Sequence, residues 1–417
     1  MPSVDVARAS VTMPASPSRG EEIDGITVLG VQFPSVVSLF MPLRERADLA
    51  LVHVNDWLNL YRAHFDSASG VSVEPPPDTD WREWSFPPGW ANRFAPWMMP
   101  ILAKRVLGIW RSKGWRNPRL VVTFPYFLPV AREIGMERTL YRPVDNYQAF
   151  WRDRSSKVAE QEDQLVREAA ATVATASLLA DWLRERVPGS CDKIHYVPNG
   201  IHPEMVRSGE AALRGPLPLE GYFAERLGDH TGPVVGNYGT IAPRYGIEML
   251  AAVTRQLPKF RFVLMGPILS GPADYAQTLA NMLRLPNVIT TGRLKEPQSR
   301  EILWQCDVML LPTPLDELGR YGSPNRLWTY MGTGRPIVSN PLHEVIKFGD
   351  LVYPAVDAEQ AVAALRQAAQ ECDPSRVVKR IEIAKQHTWP VLAERVWSIL
   401  SRMAREARAA PCPSPRM

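Results

Sequence analysis

Cysteine is scarce and scattered in this chain. Its 417 residues include four, Cys191, Cys306, Cys372 and Cys412, and no two form a CxxC pair. That spacing excludes a zinc ribbon or a disulfide framework and fits reduced thiols in a cytosol. No run of about 18 apolar residues occurs, so nothing reads as a membrane-spanning helix. The opening stretch, MPSVDVARASVTMPASPSRGEE, lacks the apolar core of a signal peptide. An excess of one charge is missing as well. Against 44 acidic residues stand 48 Lys and Arg, a net +4 with no long basic run, so nucleic acid is not an expected partner. There is no GxxxxGK(S/T), hence no P-loop, and GNYG at 236–239 is not a GxGxxG, which weakens a dehydrogenase reading.

What is present is a soluble globular composition, 45% hydrophobic and 22% charged. The chain is too long for one ordinary core, so two domains are expected. Residues 1–20 and the tail RAAPCPSPRM are rich in Ser, Pro and Ala and are expected to be disordered. Apolar runs read as strands at ITVLGVQF, ADLALVHVND, RLVVTFP, RTLYRPVD, AATVATAS and KIHYVPNG. Helical segments fall at Val36–Arg46, Lys157–Arg167 and Ser177–Val187, and a proline-rich insertion, SVEPPPDTDWREWSFPPG, interrupts the alternation. The second half repeats the pattern more cleanly: PVVGNYG, RFVLMGP, NVITTGR, DVMLLPT, RPIVSN and DLVYPAV alternate with helix-period segments. Such alternation predicts an α/β protein of parallel sheets covered on both faces, here two doubly wound Rossmann-like domains in tandem. The expected partition is an N-terminal domain at 21–206, a second at 207–387, a C-terminal helix at 388–405 packing back on the first, and a tail at 406–417. Ligands of such sheets bind beyond the carboxyl ends of the strands, in the cleft between the domains.

The most informative stretch is RYGSPNRLWTYMGTGRPIVSN, from Arg320 to Asn340. Ser323 suits an N-cap and Pro324 the first helical position. The free N–H groups and the positive dipole end of that helix make an anion site, to which Arg326 adds a fork matched to phosphate oxygens. A capped helix with a solvated arginine explains the same letters, since capping needs no ligand.

The segment SPNRLWTYMGTGRPIVSN resembles the donor-site segment of GT-B glycosyltransferases. HYVPNGIHPEMV is similar to their interdomain segment, VVGNYGTIAPRYGIEML to their first C-domain strand and glycine loop, and LPNVITTGRLKEPQSREILWQCDVMLLPT to a later stretch. Together with YRPVDNYQAFW, these motifs resemble the bacterial branch near teichuronic-acid and exopolysaccharide transferases, over about residues 120–400. The resemblance implies a cytoplasmic enzyme, peripheral at the inner membrane face, that moves a sugar from a nucleotide-sugar donor, a UDP-sugar, to a hydroxyl of a growing, lipid-linked glycan. It implies no cofactor and no metal. It places the diphosphate on the Ser323 helix, with Asn325, Arg326, Leu327 and Thr329 on the donor side and Arg326 in place of the usual lysine. Gly239 and Thr240 would face the diphosphate from the opposite loop, and Arg293 and Leu294 would lie near the base. The chain departs from the pattern at Thr329, where relatives carry an acidic residue for the ribose, and at Thr240 and Tyr245, where they carry a basic pair; Arg244 can replace one charge. These departures leave two alternatives open, a nucleotide-sugar epimerase and a non-catalytic sugar-nucleotide-binding protein.

Asp145 closes the strand RTLYRPVD. A carboxylate there can take the proton of an attacking hydroxyl or simply cap the helix NYQAFW. His53 and Asp56 are rivals for the base, and His202 reads as a cleft-lining or structural residue. The D-x-D of PDTD has no strand before it and is rejected as a metal site. WANRFAPWMMPILAKRVLGIWRSKGW, Trp90 to Trp115, packs four tryptophans beside Lys104, Arg105, Arg111 and Lys113. It reads either as a surface for anionic lipid or as a core helix. Pro96 and Pro100 are expected to confine its helix to residues from Ile101 onward.

Overall fold

The computed structural model describes residues 23–56, 73–91, 93–151, 155–218, 225, 231–243 and 245–409. The apolar runs form two parallel sheets. The first has seven strands in the order β3-β2-β1-β4-β5-β6-β7: β1 Gly25–Leu29, β2 Asp48–Asp56, β3 Asp80–Phe86, β4 Arg119–Val122, β5 Thr139–Tyr141, β6 Ala171–Ala174 and β7 Ile194–Tyr196. The second has six, in the order β10-β9-β8-β11-β12-β13: β8 Val234–Tyr238, β9 Arg261–Met265, β10 Val288–Gly292, β11 Val308–Leu311, β12 Ile337–Ser339 and β13 Val352–Pro354. Every pairing is parallel. Both inner sets, β1/β4 and β8/β11, are buried throughout apart from Tyr238, as sheets sandwiched by helices require.

Of the helices that cover these sheets, six bear on the site and its surroundings: α1 Pro34–Phe40, α2 Ala95–Lys113, α3 Ser177–Arg186, α4 Ile247–Gln256, α5 Asn325–Thr333 and α6 Trp389–Ala409. Helix α6 buries Leu392, Val396, Ile399, Leu400 and Met403 at helical spacing. These join Ile26, Val28, Leu49 and Leu51 in one core, so the last helix of the chain covers the first sheet.

Two elements differ from what the sequence predicts. The proline-rich segment does not merely interrupt the sheet: DWREWSF inside it is β3, an edge strand in register with β2 from Ala50↔Asp80 to Asp56↔Phe86. Its prolines flank the strand instead of breaking it, which is where an edge tolerates them. Helix α2 begins at Ala95, not Ile101, and carries Pro100 inside; Pro96 lies in its first turn, where a missing N–H costs nothing. Of its aromatic neighbourhood, Trp90 and Trp110 are buried with Met99, Leu102, Val106 and Ile109 against the first sheet. Trp115 lies over Gly25, where a side chain would meet its ring at 2.1 Å. Most of this surface is core. Trp97 and Ile101, 66% and 40% exposed, are the exceptions.

The two halves are joined by polar bonds around buried Glu344. Its Oε1 accepts from the backbone N–H (2.7 Å) and hydroxyl (2.6 Å) of Ser177 at the start of α3, and its Oε2 from Tyr196 (2.7 Å) and Lys347 (2.6 Å). Burial alone would raise this carboxyl's pKa, but Lys347 and the hydrogen bonds outweigh it and hold it below the usual glutamate value.

Candidate active site

In the second sheet the chain leaves β8 toward β9 but leaves β11 toward β12, so the loops diverge and open a crevice at the carboxyl ends of β8 and β11. Gly239 follows β8 with φ +113°, and its N–H donates to Met265 O at 2.7 Å. A side chain there would sit 2.6 Å from Nε of Arg326; the arginine fills the space that the glycine leaves. Arg326 Nη2 donates to the carbonyl of Thr240, and Cζ lies 3.6 Å from the ring centroid of Tyr245. The Tyr245 hydroxyl accepts from Asn237 Nδ2 at 2.9 Å. Nη1 of Arg326 is buried and has no partner among the described residues. Burial lowers the guanidinium pKa to about 10, so it stays cationic at neutral pH.

Helix α5 begins one residue later than expected. Pro324 is extended (ψ 110°) and occupies the N-cap without a side-chain cap, and Asn325 is the first helical residue. Ser323 therefore does not cap the helix. Its hydroxyl and carbonyl accept instead from the N–H and Nδ2 of Asn199, at 3.4 and 2.9 Å, which ties the interdomain segment to the start of α5. Asn325 is exposed and Thr329 half-buried, one turn beyond Arg326. The Leu327 side chain is fully buried in the core beneath the helix, as the apolar stripe of α5 needs, so only its backbone can face a ligand.

Asp145 faces this crevice from the first sheet. It lines a cavity of about 160 Å³ together with Val144, Thr313, Ser323, Pro324 and Leu342. It is not the cap of the helix that follows. Asn146 does that, accepting from Gln148 and Ala149 N–H at 3.1 and 3.3 Å, while Asp145 Oδ1 accepts from the Asn146 N–H at 2.9 Å. The cavity and the Arg326 cluster meet at the start of α5, since Ser323 and Pro324 line the one and Arg326 follows two residues on.

No protein-family model matches the chain, and no curated protein matches it in sequence. Solved structures do. HepE of Anabaena, in a crystal structure with UDP and glucose, aligns with a TM-score of 0.64 at 13% identity, over 91% of this chain and 99% of that one. Sucrose-phosphate synthase from Thermosynechococcus elongatus gives 0.65 at 14%, over 93% and 100%. The α,α-trehalose 6-phosphate synthase of Burkholderia multivorans gives 0.62 at 13%, over 95% and 100%. These are nearly end-to-end matches across both sheets. The chain has a GT-B fold.

Within this GT-B fold the remaining candidates separate. Arg293 is exposed at the rim, 4.0 Å from Glu74, and Leu294 packs partly on the core of the second sheet. Arg293 and Arg326 both act on the half-buried Tyr238, whose hydroxyl pKa is raised, chiefly by burial. The two cations thus belong to one neighbourhood. Arg244 lies outside the described residues. His53 sits within β2, its ring edge-on to Trp81 at 5.8 Å, and burial lowers its pKa; it is not among the residues lining the Asp145 cavity. Asp56 ends β2. His202 is exposed, with Nε2 3.2 Å from Ser38 Oγ. In PDTD, Asp80 opens β3 and is held by Arg82 at 2.5 Å and Lys113 at 3.2 Å. Among the described residues no group of three His, Cys, Asp or Glu is placed to hold a metal. Sequence reasoning noticed Tyr245 only as a lost charge; nothing in the local letters signals its stacking on Arg326.

Proposed function

We propose that this GT-B protein is a glycosyltransferase that moves a sugar from a nucleotide-sugar donor, a UDP-sugar, to a hydroxyl of a growing bacterial glycan, without a metal ion. One observation carries the reading. A partly buried guanidinium with a buried, unpaired Nη1 lies at the carboxyl-end crevice of the second sheet, and Asp145, in the loop four residues beyond β5, faces the same cleft from the first. In the transfer, the bond from the anomeric carbon to the diphosphate oxygen breaks and a bond to the acceptor oxygen forms. Charge develops on the leaving diphosphate, where Arg326 and the N–H groups opening α5 stabilise it. Asp145 takes the acceptor's proton. Fixed donors and a fixed base perform this chemistry with no redox partner. The UDP assignment draws support from HepE, whose structures contain UDP and UDP-glucose.

The outer face of α2 supports a place of action at an anionic membrane surface. Trp97 and Ile101 stand exposed one turn apart, Phe94 stacks on Trp97 with centroids 6.1 Å apart, and Lys104 is exposed beside them. Aromatic and cationic side chains on one face suit the headgroup layer. Arg105 and Lys113 contribute less than the sequence suggests, since Arg105 lies over Phe86 at 5.1 Å and Lys113 pairs with Asp80. Among the described residues no helix is long and apolar enough to cross a membrane.

The test is a panel of nucleotide sugars scored first by thermal stabilisation, which reports binding to the native state, and then by turnover. The expected result is stabilisation by a UDP-sugar, with sugar transferred only when a glycan acceptor is added and no loss of rate in EDTA. Donor conversion without acceptor would point to an epimerase, and binding without turnover to a non-catalytic relative; a protein stabilised by no nucleotide sugar would sink the proposal.

A further inference from the structure

We infer that Tyr245 is a positioning residue for the diphosphate, acting through Arg326; the inference rests on the reading of the cleft given above. Three contacts fix the guanidinium. Nη2 is held by the Thr240 carbonyl, one face of the plane lies on the Tyr245 ring at 3.6 Å, and Nε is pressed against Gly239, where any side chain would clash. What remains is Nη1, buried and without an acceptor. An arginine in this state has surrendered its rotamer freedom on folding, so that cost does not fall on ligand binding.

Tyr245 can hold Arg326 because it is itself fixed. Its hydroxyl accepts from Asn237 Nδ2, and Asn237, buried within β8, also donates to Leu310 O at 3.0 Å. The following residue, Gly246, has φ +55° and lies so close to Pro312 that a side chain would meet its carbonyl at 2.5 Å. The ring is therefore braced between β8 and the end of β11. An aromatic face is also the right partner chemically. A second cation at this distance would repel the guanidinium and compete for the same phosphate, whereas the ring quadrupole stabilises the charge after desolvation and leaves its N–H groups free. At position 245 a ring thus stands where the resemblance implies a basic residue, and it aims the Arg326 guanidinium.

The experiment titrates the protein with UDP and with uridine by calorimetry, comparing wild type, Tyr245→Phe, Tyr245→Leu and a series in which residue 245 is phenylalanine of increasing ring fluorination. Fluorine drains the π face while keeping its shape, so a purely packing role does not respond to it. Tyr245→Phe keeps the ring but loses the hydroxyl's bond to Asn237, so it is the reference against which the fluorinated series is read. Tyr245→Leu should lose roughly 5- to 30-fold, the span of a partly desolvated cation–π contact, with uridine affinity unchanged. UDP affinity should fall stepwise along the fluorinated series. If Tyr245→Leu fails to fold, the fluorinated series decides alone. A flat series, or a Leu variant that binds UDP like wild type, overturns the inference. A wild-type protein that binds neither UDP nor any other nucleoside diphosphate refutes the proposed function instead, so the two failures are told apart.

Discussion

Arg326→Met separates binding from folding. Methionine keeps an apolar stem of similar length in the space beside Gly239, so no large cavity opens, but it removes the fork. Loss of a hydrogen bond to a charged group costs about 1.5–3 kcal/mol. At about 1.4 kcal/mol per decade, nucleoside diphosphate affinity should fall roughly 10- to 150-fold. The ligand-free protein should respond differently. Removing the arginine forfeits its contacts with Thr240 O and the Tyr245 ring, but also removes an unpartnered buried donor at Nη1, whose desolvation costs about 1–3 kcal/mol. These oppose each other, so unfolding free energy should change by no more than about 2 kcal/mol. Calorimetric titration with UDP, alongside denaturant melts of the free protein, reads both quantities. Unchanged affinity would refute the reasoning outright. A collapse of the free protein's stability that accounts for the lost binding would show that Arg326 is structural.

Other perturbations test separate links. Asp145→Asn keeps the shape of the cavity lining but cannot take a proton, so turnover should drop roughly 10²- to 10⁴-fold with donor binding intact; a variant retaining most turnover places the base elsewhere. Trp97→Ser with Ile101→Ser and Lys104→Gln should abolish co-sedimentation with phosphatidylglycerol vesicles, which the wild type should show at low salt and lose at high salt; a wild type that stays in the supernatant would rule out the membrane assignment. His387 stacks on Trp328 at 4.0 Å, and its pKa is lowered, chiefly by burial. Above pH 6.5 it is neutral folded or unfolded; below that, the unfolded state takes the proton first, so its contribution is lost as pH falls. Wild-type stability relative to His387→Phe should therefore decline between pH 7 and pH 5.5 in paired melts, and a constant difference would contradict the assignment.

The sheets were legible because parallel strands buried on both faces must be written as apolar runs, and every run in RLVVTFP, DVMLLPT or RPIVSN became a strand. What failed was local. DWREWSF is half exposed at an edge, so it carries no continuous apolar signal and its flanking prolines mislead. At α5 the letters S-P-N permit a helix starting at either of two residues, and the choice is made by Asn199, which captures Ser323 from 124 positions away. The resemblance put Leu327 on the donor side, but on a helix adjacent residues face different directions, and its side chain lies in the core. Glu344 gave no sequence signal at all, since its partners Ser177 and Tyr196 lie 167 and 148 residues away. The cleft was predictable from topology, and its individual contacts were not.

The departures at Thr240, Tyr245 and Thr329 invite the view that this is a decayed site, and the energetics argue against it. Other arginines, Arg119 and Arg335 among them, also leave a buried nitrogen unpartnered; what sets Arg326 apart is its place at the crevice. Stranding an N–H of a guanidinium in the protein interior costs free energy that ordinary packing does not return, and a leucine or methionine at position 326 would cover the Tyr245 ring without that cost. Yet the surrounding residues are arranged to keep the cation in place: a glycine whose side chain would displace it, a carbonyl turned toward it, and a ring pinned beneath it by Asn237. Such an arrangement lowers the free energy of one state above others, the state in which an anion occupies Nη1. If the cleft holds a diphosphate as proposed, the altered basic pair is a different solution to the same electrostatic problem, in which precision of aim replaces total charge. The two solutions differ measurably. Binding that relies on several loosely held cations weakens steeply with added salt, whereas binding carried chiefly by a partly buried guanidinium is screened much less. The UDP affinity of this protein should accordingly vary little between low and physiological ionic strength, and a steep salt dependence would restore the decayed or multi-cation reading.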